Sequence, residues 1–232
     1  MEELNHLWSR DEQHVYCVEK RIRASRESFR VLNEIFAMDE AHVYYINGKA
    51  DWIDARTFEV LDDGFYAAPD EWDNRRIYHG YARDKNNVYF HDMMFGKPKA
   101  IKGADPRTIV RLKWDYAADS KHVYFSGSRL PSCDPRTVKI FSNLFARDAR
   151  HCFYLNRKIG DADSNTFQLF APLKPNTPQF FAHDAQCVYY QDWRLTGSDP
   201  HTFVLTDDGY GRDRTGVWDV RRISSFNPHL RP

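Results

Sequence analysis

Hydrophobic and aromatic side chains recur along this chain in a fixed pattern, with polar positions between them. The pattern is an aromatic residue, a small residue, any residue, an aspartate, three further positions, a valine and then two aromatics. The segment after the aspartate is β-branched and aromatic, which is typical of a half-buried strand. Internal repetition of this kind predicts a repeat architecture. Copies begin at Trp8, Phe36, Tyr81, Tyr116, Phe145, Phe181 and Tyr210.

A second motif follows the first within each repeat. It reads Asp105-Pro106-Arg107-Thr108 in the third repeat, and aspartate followed by proline is typical of a turn or a helix start. The first aspartate and the start of the second motif are 15 residues apart in repeats two, four, five and six, 14 in repeat one and 21 in repeat three. A constant spacing predicts a constant backbone path, so the six extra residues of repeat three (21 − 15) should loop out. The other copies begin at Ser25, Asp54, Asp134, Asp163 and Asp199.

Each repeat is therefore predicted to be a β-hairpin followed by one short element. Asn47-Gly48, between two strand-like stretches, indicates a type I′ turn. One such unit cannot bury its aromatic face alone, so neighbouring repeats must stack, and we expect the valine and the aromatic after it to be buried in every repeat. The predicted fold is all-β, with six hairpin repeats and a partial seventh stacked as an open solenoid in a single domain over residues 1–232. The alternative is a propeller-like closed ring, although most repeats are too short for the four strands of a usual blade.

Two irregularities interrupt the array close together. An insert at 62–80 separates repeats two and three, and His91 to Gly96 lengthens the third hairpin. Methionine and aromatic residues are enriched in interface cores, and insertions in repeat arrays often gather on one face. The alternative is that this hairpin tip folds back onto the body of the protein. We predict a partner-binding patch formed by Trp72, Tyr78, Met93, Met94 and Phe95, ringed by Asp70, Glu71, Asp73 and Asp92.

Composition and charge narrow the class of partner. Hydrophobic residues make up 42% of the chain and aromatics 15%, which supports a packed core and excludes global disorder. The 33 basic and 33 acidic residues cancel without forming a basic block, so neither nucleic acid nor an anionic membrane is indicated. No apolar run approaches the ~18 residues of a membrane span, and no signal peptide opens the chain. We expect a soluble cytoplasmic protein.

The repeated histidines are the first candidates for chemistry. Stacking would set a column of imidazoles beside a column of carboxylates, a ligand pair that binds zinc. However, Asn87, Cys187 and Gly216 take the same slot in other repeats, and turns accept all of these residues. Ligands spaced by ~4.8 or ~10 Å, as in β structure, are also too far apart for one tetrahedral site. We expect turn residues and no metal site at His14, His42, His122 and His151.

Catalytic motifs are missing from the sequence. There is no GxSxG, HExxH, P-loop or CxxC pattern, and seven carboxylates in one environment do not form a pair with different pKa values. The cysteines occupy four different repeat positions, which predicts buried thiols in a reducing compartment and not a recurring metal site or disulfide. We expect no catalytic residue, no cofactor and no enzyme activity. The cysteines are Cys17, Cys133, Cys152 and Cys187.

The third repeat resembles the bacterial DKNYY repeat family through Asp84-Lys85-Asn86-Asn87-Val88-Tyr89-Phe90, followed by Gly103-Ala104-Asp105-Pro106 and Thr108. The resemblance covers the chain from about Trp8 to Trp218. It implies a bacterial, repeat-built, non-catalytic protein, and it transfers no site residue.

These observations together predict a protein that binds another protein. The concrete hypothesis is an immunity-type protein that neutralises a toxin by covering its active surface. The acidic residues of the insert would suit a basic toxin face and would steer association. The alternative is a carbohydrate or cell-envelope binding module that uses exposed aromatic side chains.

Overall fold

The protein consists almost entirely of short antiparallel strands. The computed structural model describes residues 1–67, 76–171, 179–206 and 210–219. Within these ranges the chain forms strands of two to five residues and one turn of 3₁₀ helix, Met93–Phe95. No helix in the described part is long and apolar enough to cross a membrane. The all-β class predicted from the sequence is confirmed.

The described residues fall into two compact parts. The first part comprises 1–67 and 76–129. It contains four sheets of four strands and one separate hairpin, β10 with β11, inside the predicted insert. The strands are β1 (Glu2–Glu3), β2 (Trp8–Arg10), β3 (Val15–Cys17), β4 (Lys20–Ile22), β5 (Arg30–Val31), β6 (Phe36–Met38), β7 (Val43–Tyr45), β8 (Gly48–Lys49), β9 (Glu59–Val60), β10 (Tyr66–Ala67), β11 (Arg76–Ile77), β12 (His79–Arg83), β13 (Val88–Asp92), β14 (Lys99–Ala100), β15 (Val110–Arg111), β16 (Tyr116–Ala118), β17 (Val123–Phe125) and β18 (Ser128–Arg129).

The second part comprises the described residues from 130 to 219. It contains two four-stranded sheets and one three-stranded sheet, again antiparallel throughout. None of the sheets in the described ranges closes into a barrel. The strands are β19 (Lys139–Ile140), β20 (Phe145–Arg147), β21 (Cys152–Tyr154), β22 (Arg157–Ile159), β23 (Gln168–Leu169), β24 (Phe181–His183), β25 (Val188–Tyr190), β26 (Trp193–Leu195), β27 (Val204–Leu205), β28 (Gly211–Asp213) and β29 (Gly216–Trp218).

Each sheet after the first combines strands from two successive repeats. The strand that follows the second motif of one repeat becomes the edge strand of the next repeat's sheet, as where Val110 in β15 pairs with Ala118 in β16. The short third element predicted for each repeat is therefore a strand that pairs forward. The expectation that such repeats are too short for four strands is wrong. Four strands fit a step of 29 residues (148 − 119) because most strands contain only two or three residues.

The first aspartate of each repeat holds the turn between the two central strands. One carboxylate oxygen of Asp119 accepts hydrogen bonds from the backbone N–H groups of Lys121 and His122, both at 2.7 Å. The same Asx-type turn forms in all seven repeats, with N···O distances between 2.6 and 3.0 Å. The interpretation of these residues as turn aspartates is confirmed for Asp11, Asp39, Asp84, Asp119, Asp148, Asp184 and Asp213.

The second carboxylate oxygen of the same aspartate connects successive repeats. Oδ2 of Asp119 accepts the backbone N–H of Asp105, at the start of the preceding second motif, at 3.0 Å. In return, Oγ1 of Thr108 accepts the backbone N–H of Ser120 at 3.1 Å. We call this reciprocal pair of bonds the repeat clamp. It recurs at six junctions, each within one compact part, between Ser25 and Asp39, Asp54 and Asp84, Asp105 and Asp119, Asp134 and Asp148, Asp163 and Asp184, and Asp199 and Asp213.

Hydrophobic cores lie between the sheets of successive repeats. One of them contains Tyr81 and Val88 from repeat three together with Ala117 and Tyr124 from repeat four. Comparable cores combine repeats one and two, two and three, five and six, and six and seven. The fixed clamp geometry brings these apolar faces together at every such junction.

The valine and aromatic positions are buried in repeats two to six, as predicted. The prediction is wrong at the ends of the array. Tyr16 in repeat one is only half-buried, and Val217 in repeat seven is 60% exposed. An end repeat packs against a neighbour on one side only, so part of its apolar face stays in solvent.

The aromatic residue after the valine adds a further bond to the carboxylate. The phenol of Tyr124 donates to Oδ2 of Asp119 at 2.7 Å. A phenol or an indole N–H makes the equivalent bond in every repeat except the fifth, where Phe153 takes the position. Repeat five is therefore a natural comparison for the energetic contribution of this bond.

We predict that Phe153→Tyr stabilises the protein by about 1 kcal/mol, because its phenol would donate to the buried carboxylate of Asp148. Tyr124→Phe should destabilise it by about 1 kcal/mol, because Asp119 loses a donor while the ring stays packed. Urea denaturation of both variants measures the difference. If both substitutions shift the urea midpoint in the same direction, the bond from the phenol to the carboxylate does not account for the difference between repeats four and five.

Candidate functional site

Most of the buried carboxylates of the repeat clamps accept four hydrogen bonds, whereas Asp148 accepts three because its repeat lacks the phenol. Burial alone would raise the pKa of Asp119, but the Tyr124 phenol and three backbone N–H groups outweigh it and lower the pKa. The same balance of burial against hydrogen bonds lowers the pKa of Asp39, Asp148 and Asp184. A carboxylate accepts about four hydrogen bonds. Asp119 therefore has no acceptor position left for a ligand.

The end repeats show the same effect at more exposed carboxyls. The Tyr16 phenol and two backbone N–H groups lower the pKa of Asp11 to about 2. In Asp213, burial alone would raise the pKa, but hydrogen bonds from Thr215 and from the Asp199 N–H lower it to about 2. Asp62 behaves in the opposite way. Its burial outweighs the hydrogen bonds from the Tyr81 and Gly64 N–H groups and raises its pKa.

Lowered carboxyl pKa values predict a loss of stability in acid. Such a group stabilises the fold above its unfolded pKa of about 3.9, and the stabilisation is lost as the pH falls through the folded pKa. We predict that the melting temperature falls steeply between pH 4 and pH 2, the pKa of about 2 at Asp11 and Asp213 setting the lower limit. The raised pKa of Asp62 favours the folded state at low pH, but this single group is outnumbered by the carboxyls with lowered pKa values. Circular dichroism melts at stepped pH test this, and a melting temperature that does not change across that range would contradict it.

The four repeated histidines lie beside the turn aspartates. Their Nδ1 atoms are 3.5 to 3.8 Å from the Oδ1 atoms of the aspartates three residues earlier. Each ring also meets the following tyrosine or phenylalanine edge-on, with centroids 6.2 to 6.3 Å apart. In the part of the chain that the structure describes, no group of three or more histidine, cysteine and acidic side chains is arranged to hold a metal.

All four cysteines are buried free thiols, as predicted. Burial raises the pKa of Cys17, Cys133 and Cys152 to about 12. Such thiols stay protonated at neutral pH, and the thiolate is the reactive form. These three cysteines therefore pack as small apolar groups.

A histidine and a carboxylate pair beneath the third hairpin. Nδ1 of His79 contacts Oδ1 of Asp115. The imidazole is buried, and the Tyr66 ring meets it edge-on at 4.7 Å. Its Nε2 atom is buried without a hydrogen-bond partner. The contact with Asp115 helps to position the first strand of the hairpin. Because the imidazole is enclosed, it presents no reactive atom to solvent.

His91 lies on the facing strand of the same hairpin and is fully buried. Neither ring nitrogen has a hydrogen-bond partner. Its neighbours are aromatic, with the Tyr45 ring centroid at 5.3 Å and that of Phe36 at 5.8 Å. Burial lowers the pKa of His91 to about 4. The hairpin that carries the predicted patch therefore contains a neutral imidazole at physiological pH.

We predict that His91 makes stability depend on pH between 6.5 and 4. The unfolded chain binds a proton below about 6.5 and the folded one only below about 4, so stability falls by up to about 3 kcal/mol as the pH decreases across this range. His91→Phe should remove this dependence, whereas His201→Gln, at an exposed position, should leave it unchanged. Urea denaturation at several pH values tests both, and an unaltered slope in His91→Phe would refute the assignment.

The tip of the third hairpin is an ordered, capped turn. The extra residues of repeat three extend β12 and β13 to five residues each and end in the 3₁₀ turn. Oδ1 of Asp92 accepts the Met94 N–H at 2.8 Å, and the Met93 N–H donates to the Tyr78 carbonyl at 3.1 Å. The prediction that the six extra residues loop out of the repeat is confirmed.

Met94 points largely into solvent, and Met93 is partly exposed. Met93 is 38% exposed and Met94 is 78% exposed. Tyr78 is half-buried and packs against the core between repeats two and three. The structure thus brings Tyr78, Asp92, Met93 and Met94 together. The side chain of Phe95 and the residues Asp70, Glu71, Trp72 and Asp73 lie outside what the structure describes.

Sequence reasoning missed several residues beside this tip. Trp52 is 44% exposed, and the Lys97 ammonium lies 5.3 Å from its ring centroid. Lys97, Lys99 and Lys102 also line a pocket of about 340 Å³. The run Lys97-Pro98-Lys99-Ala100-Ile101-Lys102 is the sequence signal that could have revealed this local positive charge.

Comparison with known proteins identifies the repeats. A family model described as the DKNYY family matches residues 3–93 and 81–221, which together span 219 of the 232 residues (221 − 2). The two matches overlap in the third repeat, the copy that carries the resemblance most closely. No curated protein and no solved structure matches the chain.

Proposed function

Because this chain belongs to the DKNYY family, its recurring residues are explained by a shared repeat architecture, and we propose that its function lies where it departs from that architecture. The departure that exposes adjacent apolar side chains is the tip of the third hairpin. The proposed function is a non-catalytic module that binds another protein through this tip. Its most concrete form is a cytoplasmic bacterial immunity-type protein that neutralises a toxin by binding it.

The observation that carries the proposal is the exposure of Met93 and Met94 on an ordered turn. Adjacent apolar side chains in solvent are typical of interaction sites, and methionine adapts to varied partner surfaces. The Asp92 cap and the bond from the Met93 N–H to the Tyr78 carbonyl hold the turn in place. A preorganised tip loses little conformational entropy on binding, which favours tight association.

An immunity-type role requires a surface that covers a toxin and no chemistry of its own. The hydrogen-bonded clamp carboxylates and protonated thiols fit such a role. Asp92 contributes as a turn cap. The acidic ring proposed around the tip otherwise depends on Asp70, Glu71 and Asp73.

The alternative, a carbohydrate or cell-envelope binding module, is supported by Trp52. Its exposed ring is a surface on which a sugar could stack. The aromatic side chains of the repeats are, in contrast, largely enclosed between sheets, as with Tyr44, Tyr89 and Tyr124. One exposed tryptophan among the described residues, set against two exposed methionines, favours the protein partner.

We also propose that the repeats form one domain over residues 1–232 and stack as an open solenoid. The repeat clamps support stacking, since each joins a turn to the next. The four-stranded meanders of most sheets also fit the alternative, a propeller-like closed ring. Small-angle scattering separates them, because a compact 232-residue body has a radius of gyration of about 17 Å and an open array a larger one.

The tip is tested with Met93→Ser/Met94→Ser. A photocrosslinking residue at position 94, compared with one at position 217, which is also exposed, first identifies the partner in the source bacterium. Titration calorimetry then measures the affinity of that partner. We predict that the double variant weakens binding at least about 30-fold, because truncation of hot-spot side chains costs about 2 kcal/mol or more.

The matched control is Val204→Ser/Val217→Ser, which removes two exposed apolar side chains elsewhere. It should leave the affinity within about threefold, as expected for residues outside a hot spot. Melting temperatures of both variants report their folding. Undiminished binding by a folded tip variant would refute the proposed surface. For the immunity-type role, co-expression should protect cells from the identified toxin, and the tip variant should not.

A further inference from the structure

A pocket beside the tip has a composition distinct from the methionine surface. One side is formed by Lys97, Lys99 and Lys102 from the return of the third hairpin. The other side is formed by Ser126, Gly127 and Ser128 from the turn of the fourth repeat, and Phe90, Asp92, Ala100 and Ile101 complete the lining. At about 340 Å³ it is at the small end of the ~300–1,000 Å³ range of ligand pockets.

Gly127 allows the two sides to come close together. A Cβ atom at this position would lie 2.7 Å from Cβ of Phe90, and the backbone has a positive φ of 72°. The Gly127 N–H donates to the Tyr81 phenol at 3.0 Å, which fixes the turn against the third hairpin. The pocket is therefore built by packing between repeats three and four and not by a loose loop.

The positive charge of this pocket is not neutralised. Lys49 and Lys85 each pair with an aspartate at 2.8 Å. In contrast, Lys97, Lys99 and Lys102 have no carboxylate within ion-pair distance among the described residues. Asp92 is the acidic residue in the lining, and one of its oxygens already caps the 3₁₀ turn. The lining of the pocket thus contains three lysines and one aspartate.

We propose that this pocket binds an acidic peptide segment of the protein partner, so that glutamate or aspartate side chains reach the lysines while apolar side chains contact Met93 and Met94. This inference rests on the proposed function for the identity of the partner as a protein. Lys99 lies in the two-residue strand β14, with Lys97 before it and Lys102 after it, and this spread suits several separated carboxylates better than one compact anion. Phe90, Ala100 and Ile101 supply apolar contacts for the methylene groups of such side chains.

The described surface therefore favours a partner face with local negative charge. The sequence-based expectation of a basic partner face depended on Asp70, Glu71 and Asp73. A partner matches both the lysine pocket and the acidic residues of the insert only if its own surface carries separate acidic and basic regions. The lysine pocket gives the binding site a definite orientation relative to the tip.

The test uses an acetylated hexaglutamate peptide as the probe, titrated into the full chain at low ionic strength. The pocket variant is Lys97→Gln/Lys99→Gln/Lys102→Gln. The control variant is Lys20→Gln/Lys121→Gln/Lys139→Gln, which removes the same charge at exposed lysines elsewhere. We expect the pocket variant to weaken binding at least about tenfold and the control to stay within about threefold, and added salt should weaken binding through screening.

Each outcome is decisive. Equal weakening by both variants would show nonspecific attraction, and absence of binding to the wild type would also overturn the proposal. Inorganic phosphate at matched ionic strength should not displace the peptide, and displacement would show a small-anion site instead. Met93→Ser/Met94→Ser should leave hexaglutamate affinity within about threefold.

The two proposals fail separately. If hexaglutamate does not bind but the methionine variant still loses the natural partner, only the pocket assignment is wrong. If the partner binds normally without the methionines while the lysines still bind hexaglutamate, the tip proposal is wrong.

Discussion

The carboxylate that opens each hairpin is the group on which the structure depends. One oxygen closes a turn within its own repeat, and the other accepts a backbone N–H from the preceding repeat. The N–H groups of both turns are partly buried, and this carboxylate gives them the hydrogen-bond partners that buried backbone groups require. Because a single side chain serves two repeats, the position of one sheet relative to the next follows from the local turn geometry. The apolar faces of Val88 and Tyr124 then meet in one core.

This arrangement separates the residues that build the protein from those available for binding. The clamp aspartates, threonines and tyrosines are used internally, so substitutions there change stability first. Met93 and Met94 belong to a segment that repeat three has and the other repeats lack. The extended hairpin keeps its strand pairing while its end projects from the pattern. A rigid array with one modified repeat can thus acquire a specific surface without altering its core.

The sequence was sufficient to predict the strands, the turn role of the aspartates, the buried thiols and the projecting third hairpin. These features depend on residues close together along the chain. Three features could not be predicted this way. The partner of Asp119 Oδ2 belongs to the preceding repeat, the rings around His91 come from repeat two, and the pocket walls come from repeats three and four. Each is a contact across a junction, and a repeat pattern does not show which faces meet there.

The length of chain between clamp partners has a consequence for how such proteins change. The partners are 14, 30, 14, 14, 21 and 14 residues apart along the array, yet the same bond forms each time. Loop closure becomes only slowly less favourable as a loop grows. Lineages can therefore lengthen these segments by insertion while the register of the flanking sheets stays fixed. New surface elements can evolve at one junction independently of the others, and foreign segments can be grafted at the same places.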